Sequence, residues 1–164
     1  MTHRTALAAA AVTAVALTAP AVAHAQPAQP QPAGQCSENL SGALTQLPDL
    51  RTLLECRALP GLGYQWQVFD SPYPNSDRWL TYGPTVTLHG EGQRNREINS
   101  GQWTAYPQDG ETRCTVSQVA VVSAGEVSPP QLVTGEPGQP LKFTAVPLLF
   151  TIEMSGNCLW QRED

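Results

Sequence analysis

The sequence predicts a mainly β domain, a sandwich or small barrel of short antiparallel strands, preceded by a short helical hairpin that a disulfide closes. Stretches of roughly four to seven apolar, β-branched and aromatic residues recur between turns that contain Gly or Pro. The chain has 15 Pro and 13 Gly, and only 14% of its residues are charged. Four widely spaced cysteines complete the pattern of a small disulfide-stapled domain.

The helical hairpin is predicted between Cys36 and Cys56. Apolar residues follow a 3.6-residue period on either side of Pro48-Asp49: Leu40, Ala43, Leu44 and Leu47, then Leu50, Leu53 and Leu54. Ser37 is a suitable N-cap for the first helix, and Pro60-Gly61 ends the second. Because such short helices are marginal alone, a disulfide across them would stabilise the pair.

Strands are predicted after Gly63, beginning with the alternation of Tyr64, Trp66 and Val68. The predicted strands are 64–68, 79–82, 85–89, 102–106, 116–122, 127–133, 141–146 and 148–154, with 158–160 ending the fold. The most apolar of them, 116–122, is expected to lie inside the sheet. Loops are expected where Pro, Gly, Asn and Asp cluster, above all at 70–77.

Residues 1–25 have the pattern of a cleavable signal peptide. Arg4 precedes an uncharged, alanine-rich run, and Ala23-His24-Ala25 offers small residues for cleavage before Gln26. Residues 26–35 are rich in Pro, Gln and Ala and are predicted to be an extended linker. The remaining segment, 36–164, is long enough for one domain. We therefore expect a secreted protein, extracellular or in the cell envelope, with no stable membrane anchor after cleavage.

The charge balance disfavours polyanionic partners. The chain has 9 basic and 14 acidic residues, and cleavage would remove one of the basic ones, Arg4. There is no run of basic residues, so nucleic acid is not expected as a partner.

The cysteines Cys36, Cys56, Cys114 and Cys158 are expected to form two disulfides. Three pairings are open, and Cys36–Cys56 with Cys114–Cys158 is favoured because each bond would close one local unit. Zinc sites and redox motifs need cysteines much closer together than these, and no metal or cofactor is predicted.

No catalytic constellation is predicted. His89 would be the only histidine left after cleavage, and no Gly-x-Ser-x-Gly motif is present. Loop carboxylates such as Glu91 and Asp109 leave a small hydrolase open as an alternative. Acidic and amide side chains at 70–77 suit calcium and turn formation equally well.

Aromatic residues interleaved with amides and arginines make residues 64–106 the candidate binding region. Aromatic rings flanked by Asn, Gln and Arg are typical of surfaces that hold sugars or extended peptides. The candidate binding residues are Tyr73, Trp79, Tyr82, Arg94, Arg96 and Trp103. Alternatively, Trp66, Trp103 and Trp160 form the core, and Tyr73 and Trp79 are then expected to be the most exposed aromatics.

The alanine-rich signal, the Pro-rich linker and the spacing of the cysteines resemble small exported proteins of mycobacteria and related actinobacteria, many of unassigned function. The resemblance implies a bacterial exported protein and identifies no active site. We therefore expect a non-enzymatic protein that binds an envelope protein or glycan. A protease inhibitor acting through loop 70–77, or the hydrolase, is the alternative.

Overall fold

A computed structural model describes residues 27–163 of the chain, and the predicted signal peptide lies outside these residues. The described part contains ten strands and one short 3-10 turn, Glu38–Leu40. The strands are β1 (Leu44–Gln46), β2 (Leu53–Leu59), β3 (Gly63–Val68), β4 (Arg78–His89), β5 (Gly101–Pro107), β6 (Thr115–Ser123), β7 (Glu126–Val127), β8 (Gln131–Thr134), β9 (Leu141–Ala145) and β10 (Leu149–Arg162). The prediction of a mainly β fold is confirmed.

The predicted helical hairpin between Cys36 and Cys56 is wrong, because the described part of this segment forms the antiparallel pair β1–β2. Adjacent apolar residues serve both faces of the sheet: Leu53 contacts one buried cluster and Leu54 belongs to the other. Leu50 adopts a positive φ of 57° between the two strands, where a right-handed helix cannot continue. A stretch of sequence that matches a helical period thus forms a pair of strands with apolar residues on both faces of the sheet.

The predicted linker packs against the sheet over its last residues. The main chains of Ala33 and Gly34 exchange hydrogen bonds with Trp66 of β3 at 2.8 Å. Cys36 N donates to Tyr64 O at 3.0 Å. Residues 33–36 therefore cover the outer edge of β3, the kind of edge that proteins protect from unwanted pairing. We call the whole segment 27–42 the strap.

The strands form one open sheet that forks at β10. The main order is β3-β2-β1-β4-β10-β5-β9, and β6 pairs with β10, β7 and β8. The first half of β10 pairs with β6 and the second half with β5, while β4 runs along its other edge throughout. The described residues therefore form neither two separate stacked sheets nor a barrel closed by main-chain hydrogen bonds.

Two strands are longer than predicted. β4 joins the predicted strands 79–82 and 85–89 through Gly83, whose φ is +128°. β10 joins 148–154 and 158–160 through an irregularity between Met154 and Gly156. In both cases a glycine bends the chain without ending the ladder.

The core is divided between the two faces of the sheet. The main cluster fills the fork and contains Trp79, Trp103 and Trp160, all essentially buried. The second, which we call the strap cluster, contains Trp66, Leu80 and Leu159 and is covered by the strap. Each cluster includes a disulfide, and the favoured pairing is confirmed, with bonds Cys36–Cys56 and Cys114–Cys158.

The side-chain amide of Gln118 connects the two branches of the fork, which are β6 with β7 and β8 on one side and β5 with β9 on the other. Gln118 of β6 is buried, and its Nε2 donates to Thr144 O at 3.0 Å. Its Oε1 accepts from Val146 N, also at 3.0 Å. The side chain thus satisfies main-chain groups on the open edge of β9 that would otherwise lie unpaired.

Candidate functional site

The predicted aromatic binding surface does not exist as one surface. Trp79 and Trp103 are 0% and 1% exposed, and their indole N–H groups donate to the Ser76 and Asn99 carbonyls inside the protein. Tyr82 is also buried, and its hydroxyl donates to Gln46 O. The prediction that Trp79 is exposed is therefore wrong, because Trp79 lies on the face of β4 that packs into the fork.

Of the four aromatic candidates, Tyr73 alone is exposed, since Trp79, Tyr82 and Trp103 are buried. It is 63% exposed at the tip of the loop between β3 and β4, while the following Pro74 is buried. Asn75 N donates to Tyr73 O at 2.9 Å, which forms a tight turn around Pro74. The loop therefore presents one aromatic ring, with its carbonyl already bound.

Arg94 and Arg96 are exposed on the loop after β4, and neither forms an ion pair with another described residue. The nearby His89 Nδ1 lies 3.2 Å from Glu97 Oε2, and the same oxygen accepts the His89 main-chain N–H. Glu91, by contrast, accepts from the Ser100 hydroxyl at 2.9 Å. These acidic groups hold the loop together, and they do not assemble a nucleophile with its base.

Asp109 is poorly suited to act as an acid. Thr112 donates to it from both its hydroxyl and its main-chain N–H at 2.6 Å, and Asn157 Nδ2 donates at 3.1 Å. These hydrogen bonds, with the Thr112 hydroxyl first, lower the pKa of Asp109 to about 2. A carboxyl of this pKa is ionised at neutral pH, whereas glycoside cleavage requires one protonated carboxyl.

The strongest candidate site is a groove on the strap-facing side of the sheet. Alternate residues of β4 and β10 point to this side, and the paired residues lie in register: Arg78 opposite Gln161, and Leu80 opposite Leu159. Tyr106 of β5 lies opposite Leu159 on its other side. The strap forms the opposite wall. We call this depression the strap groove.

The strap groove has a volume of about 500 Å³. Its lining comprises Asn39, Arg78, Tyr106, Pro107, Gln108, Leu159 and Gln161. Tyr106 is 38% exposed, so part of its ring faces solvent at the groove. The Tyr106 hydroxyl and the Gln161 amide form no hydrogen bond with another described residue. The groove therefore offers an aromatic ring and uncommitted polar groups together.

Arg78 connects the groove's floor to the strap. Its Nη2 donates to Asn39 O at 2.7 Å, while its buried Nε has no hydrogen-bond partner among the described residues. Asn39 Nδ2 in turn donates to Gln108 Oε1 at 3.3 Å across the top of the groove. One cationic donor thus lies beside the amides, in a lining without a carboxylate.

A second cavity of about 310 Å³ adjoins the strap groove. It lies under the strap beside Cys36 and Leu40, with Tyr82 and Asn157 on the sheet side. Gln108 lines both cavities, and the Asn39–Gln108 hydrogen bond stands at their junction. We call it the inner cavity.

Sequence reasoning missed most of this site. The alternation of Arg78, Leu80 and Tyr82, and that of Asn157, Leu159 and Gln161, could have shown which residues share a face. The register that places Gln161 beside Arg78, and the strap that encloses them, depend on pairing between distant segments.

Comparisons with protein-family models, curated proteins and solved structures gave no match. Within residues 27–163, no helix is long and apolar enough to span a membrane. The same residues contain no group of three or more His, Cys, Asp or Glu side chains that could hold a metal ion.

Proposed function

We propose that this chain is an exported, non-enzymatic protein of the cell envelope or extracellular space that binds a protein or glycan partner through the strap groove. The observation that carries the proposal is the composition of the groove: its described lining has an exposed tyrosine, three amides and one guanidinium, with no carboxylate, imidazole or thiol. Such a lining provides shape and hydrogen bonds for recognition, and it lacks the paired acid and base, or the nucleophile beside a base, that a hydrolytic site requires.

Export is supported by the pattern of residues 1–25 and by two disulfides, which persist in oxidising compartments. The likeness to exported actinobacterial proteins favours a bacterial envelope as the location. Purification from the culture medium or envelope, followed by determination of the N-terminal residue, tests this part of the proposal. We expect the chain to begin at Gln26, and retention of Met1 in a cytoplasmic fraction would contradict it.

Binding is tested with the exported, oxidised protein immobilised and exposed to envelope extracts and to a glycan array. Tyr106→Ala removes the ring in the strap groove, whereas Tyr73→Ala removes an exposed ring outside it. We expect Tyr106→Ala to weaken retention of the partner at least about tenfold and Tyr73→Ala to leave it unchanged. Failure to retain any component, or equal effects of the two variants, would overturn the proposal.

A protease inhibitor is the second candidate, because Tyr73 projects from a loop braced by the buried Pro74. It has less support than the groove, because the Tyr73 carbonyl is hydrogen-bonded to Asn75 within the loop. The same two variants separate these functions. Titration against secreted proteases, with inhibition lost in Tyr73→Ala and kept in Tyr106→Ala, would favour the inhibitor.

A further inference from the structure

We propose that the strap groove and the inner cavity form one continuous cleft whose ligand is a linear, neutral polysaccharide. This inference rests on the proposed function, since it names the ligand class of the same site.

The two cavities succeed one another along β4 and β10, which line both of them. At the level of the strap groove, Gln161 of β10 lies opposite Arg78 of β4. Four residues earlier along β10, Asn157 lies opposite Tyr82, and both line the inner cavity. Because alternate residues of a strand share a face, these two levels belong to one face of the sheet. The ligand's path therefore runs parallel to the strands, which suits an elongated molecule.

The main chain beneath the cleft is already paired. β10 lies between β4 and β5, β4 also pairs with β1, and β5 also pairs with β9. An extended peptide is commonly held by the free main-chain groups of an edge strand, but β4, β10 and β5 are paired on both sides, and the main chain of Trp66 in edge strand β3 is already bonded to the strap. A ligand here must bind to side chains. Sugar hydroxyls, which both donate and accept, suit the amides of Gln108, Asn157 and Gln161.

The lining also indicates the charge of the ligand. Among the described residues that line the strap groove, only Arg78 is formally charged, and one end of its guanidinium is bound to Asn39 O. The inner cavity is lined by apolar side chains, amides, hydroxyls and the Cys36 side chain of a disulfide. With neither a cluster of cations nor a carboxylate, the cleft favours an uncharged chain. Tyr106 supplies the ring face on which a sugar can stack.

The Asn39–Gln108 hydrogen bond is the point at which the ligand must cross from one cavity to the other. The bond is exposed to solvent and 3.3 Å long, so it contributes little net stability. A sugar hydroxyl can replace each partner at this position. The strap that carries Asn39 stays anchored by the Cys36–Cys56 disulfide while this bond opens.

The experiment is calorimetric titration of the exported, oxidised protein with β-1,4-linked oligomers of glucose and of N-acetylglucosamine, from two to six units. We expect affinity for at least one series to rise about tenfold from the dimer to the tetramer as both cavities become occupied. Gln108→Ala should remove this gain with length while leaving affinity for the dimer within about twofold. Gln131→Ala, at an exposed position of β8, is the matched control and should change nothing.

The outcomes separate this inference from the proposed function. Binding without dependence on length, or loss of dimer affinity equally with tetramer affinity in Gln108→Ala, would overturn the continuous cleft. If neither series binds at millimolar concentration, but the protein retains a protease-sensitive envelope component in a Tyr106-dependent way, the ligand class is wrong and the proposed function stands. If no envelope component is retained either, both fail.

Discussion

Two aspartates show how single side chains shape the loops of this protein. Asp49 and Asp109 each begin an Asp-x-x-Thr sequence, and each carboxylate accepts the Thr hydroxyl at 2.6 Å together with two main-chain N–H groups. The Thr hydroxyl is the largest cause that lowers the pKa of each aspartate to about 2. These carboxylates therefore stabilise turns, in the manner expected of Asx residues in tight loops.

The Asp109 carboxylate predicts a pH dependence of stability. Its folded pKa lies below its unfolded value near 3.9, so its contribution is complete above pH 4 and is lost as pH falls through about 2. We expect Asp109→Asn to have a lower Tm than the native protein at pH 6, with the difference shrinking as pH falls and disappearing below pH 2. Asp70→Asn, where the native carboxylate forms no hydrogen bond with a described residue, is the control. A difference that persists unchanged at pH 2 would contradict the assignment.

At the scale of elements, β10 determines the shape of the sheet because it changes partner along its length. Its ladder shifts between Met154 and Gly156, where the pairing with β6 ends and the pairing with β5 begins a few residues later. Gly156 has a φ of +100°, and a Cβ added there would lie 2.5 Å from Arg113 O. Only glycine fits this position, since it combines an unusual backbone conformation with close approach of a second main chain.

Alanine substitutions at three glycines separate these two effects. Gly110→Ala introduces neither a clash nor a positive φ and should change the free energy of unfolding by less than about 0.5 kcal/mol. Gly83→Ala, at φ +128° in open space, should cost about 1–3 kcal/mol from backbone strain alone. Gly156→Ala should cost about 1–3 kcal/mol more, because main-chain atoms must move. Urea unfolding measures all three, and equal losses at Gly83 and Gly156 would show that the contact with Arg113 is unimportant.

At the scale of the whole molecule, two buried clusters lie on opposite faces of one sheet, and each has its own disulfide. Cys36–Cys56 joins the strap to β2 and spans 20 residues of sequence, whereas Cys114–Cys158 lies in the main cluster and spans 44. The strap rests on a face that the main cluster does not share. We therefore expect the strap to open locally while the fork remains folded.

Removing each disulfide tests this division. Replacing Cys36 and Cys56 together by Ala should lower the free energy of unfolding by about 3 kcal/mol, and replacing Cys114 and Cys158 by about 4 kcal/mol, because the second loop is longer. In the first variant, amide hydrogen exchange should accelerate at position 36 and at Leu40 and Ala43, and it should stay slow in β5 and β9. Faster exchange throughout β5 and β9 would instead mean that the strap and the fork unfold as one unit.

Much of the fold could be predicted because its signals are local. The alternation at 64–68 and 102–106 survives in β3 and β5, and the favoured disulfides agree with the structure. The helix prediction between Cys36 and Cys56 was wrong because adjacent apolar residues such as Leu53 and Leu54 fit both a helical stripe and a strand that is buried on both faces. The prediction of exposed tryptophans was wrong because the sequence around a strand tryptophan does not show which face of the sheet it occupies.

A turn-rich β domain with two disulfides can be predicted from the chain alone, since periodicity, turn chemistry and cysteine spacing act within short stretches of sequence. The side of the sheet that each aromatic faces, the position of the fork and the lining of the strap groove follow from tertiary contacts. The groove brings together Asn39, Arg78, Tyr106 and Gln161, which lie far apart in the chain. Their proximity is set by strand register and by the packing of the strap, which depend on contacts between distant segments.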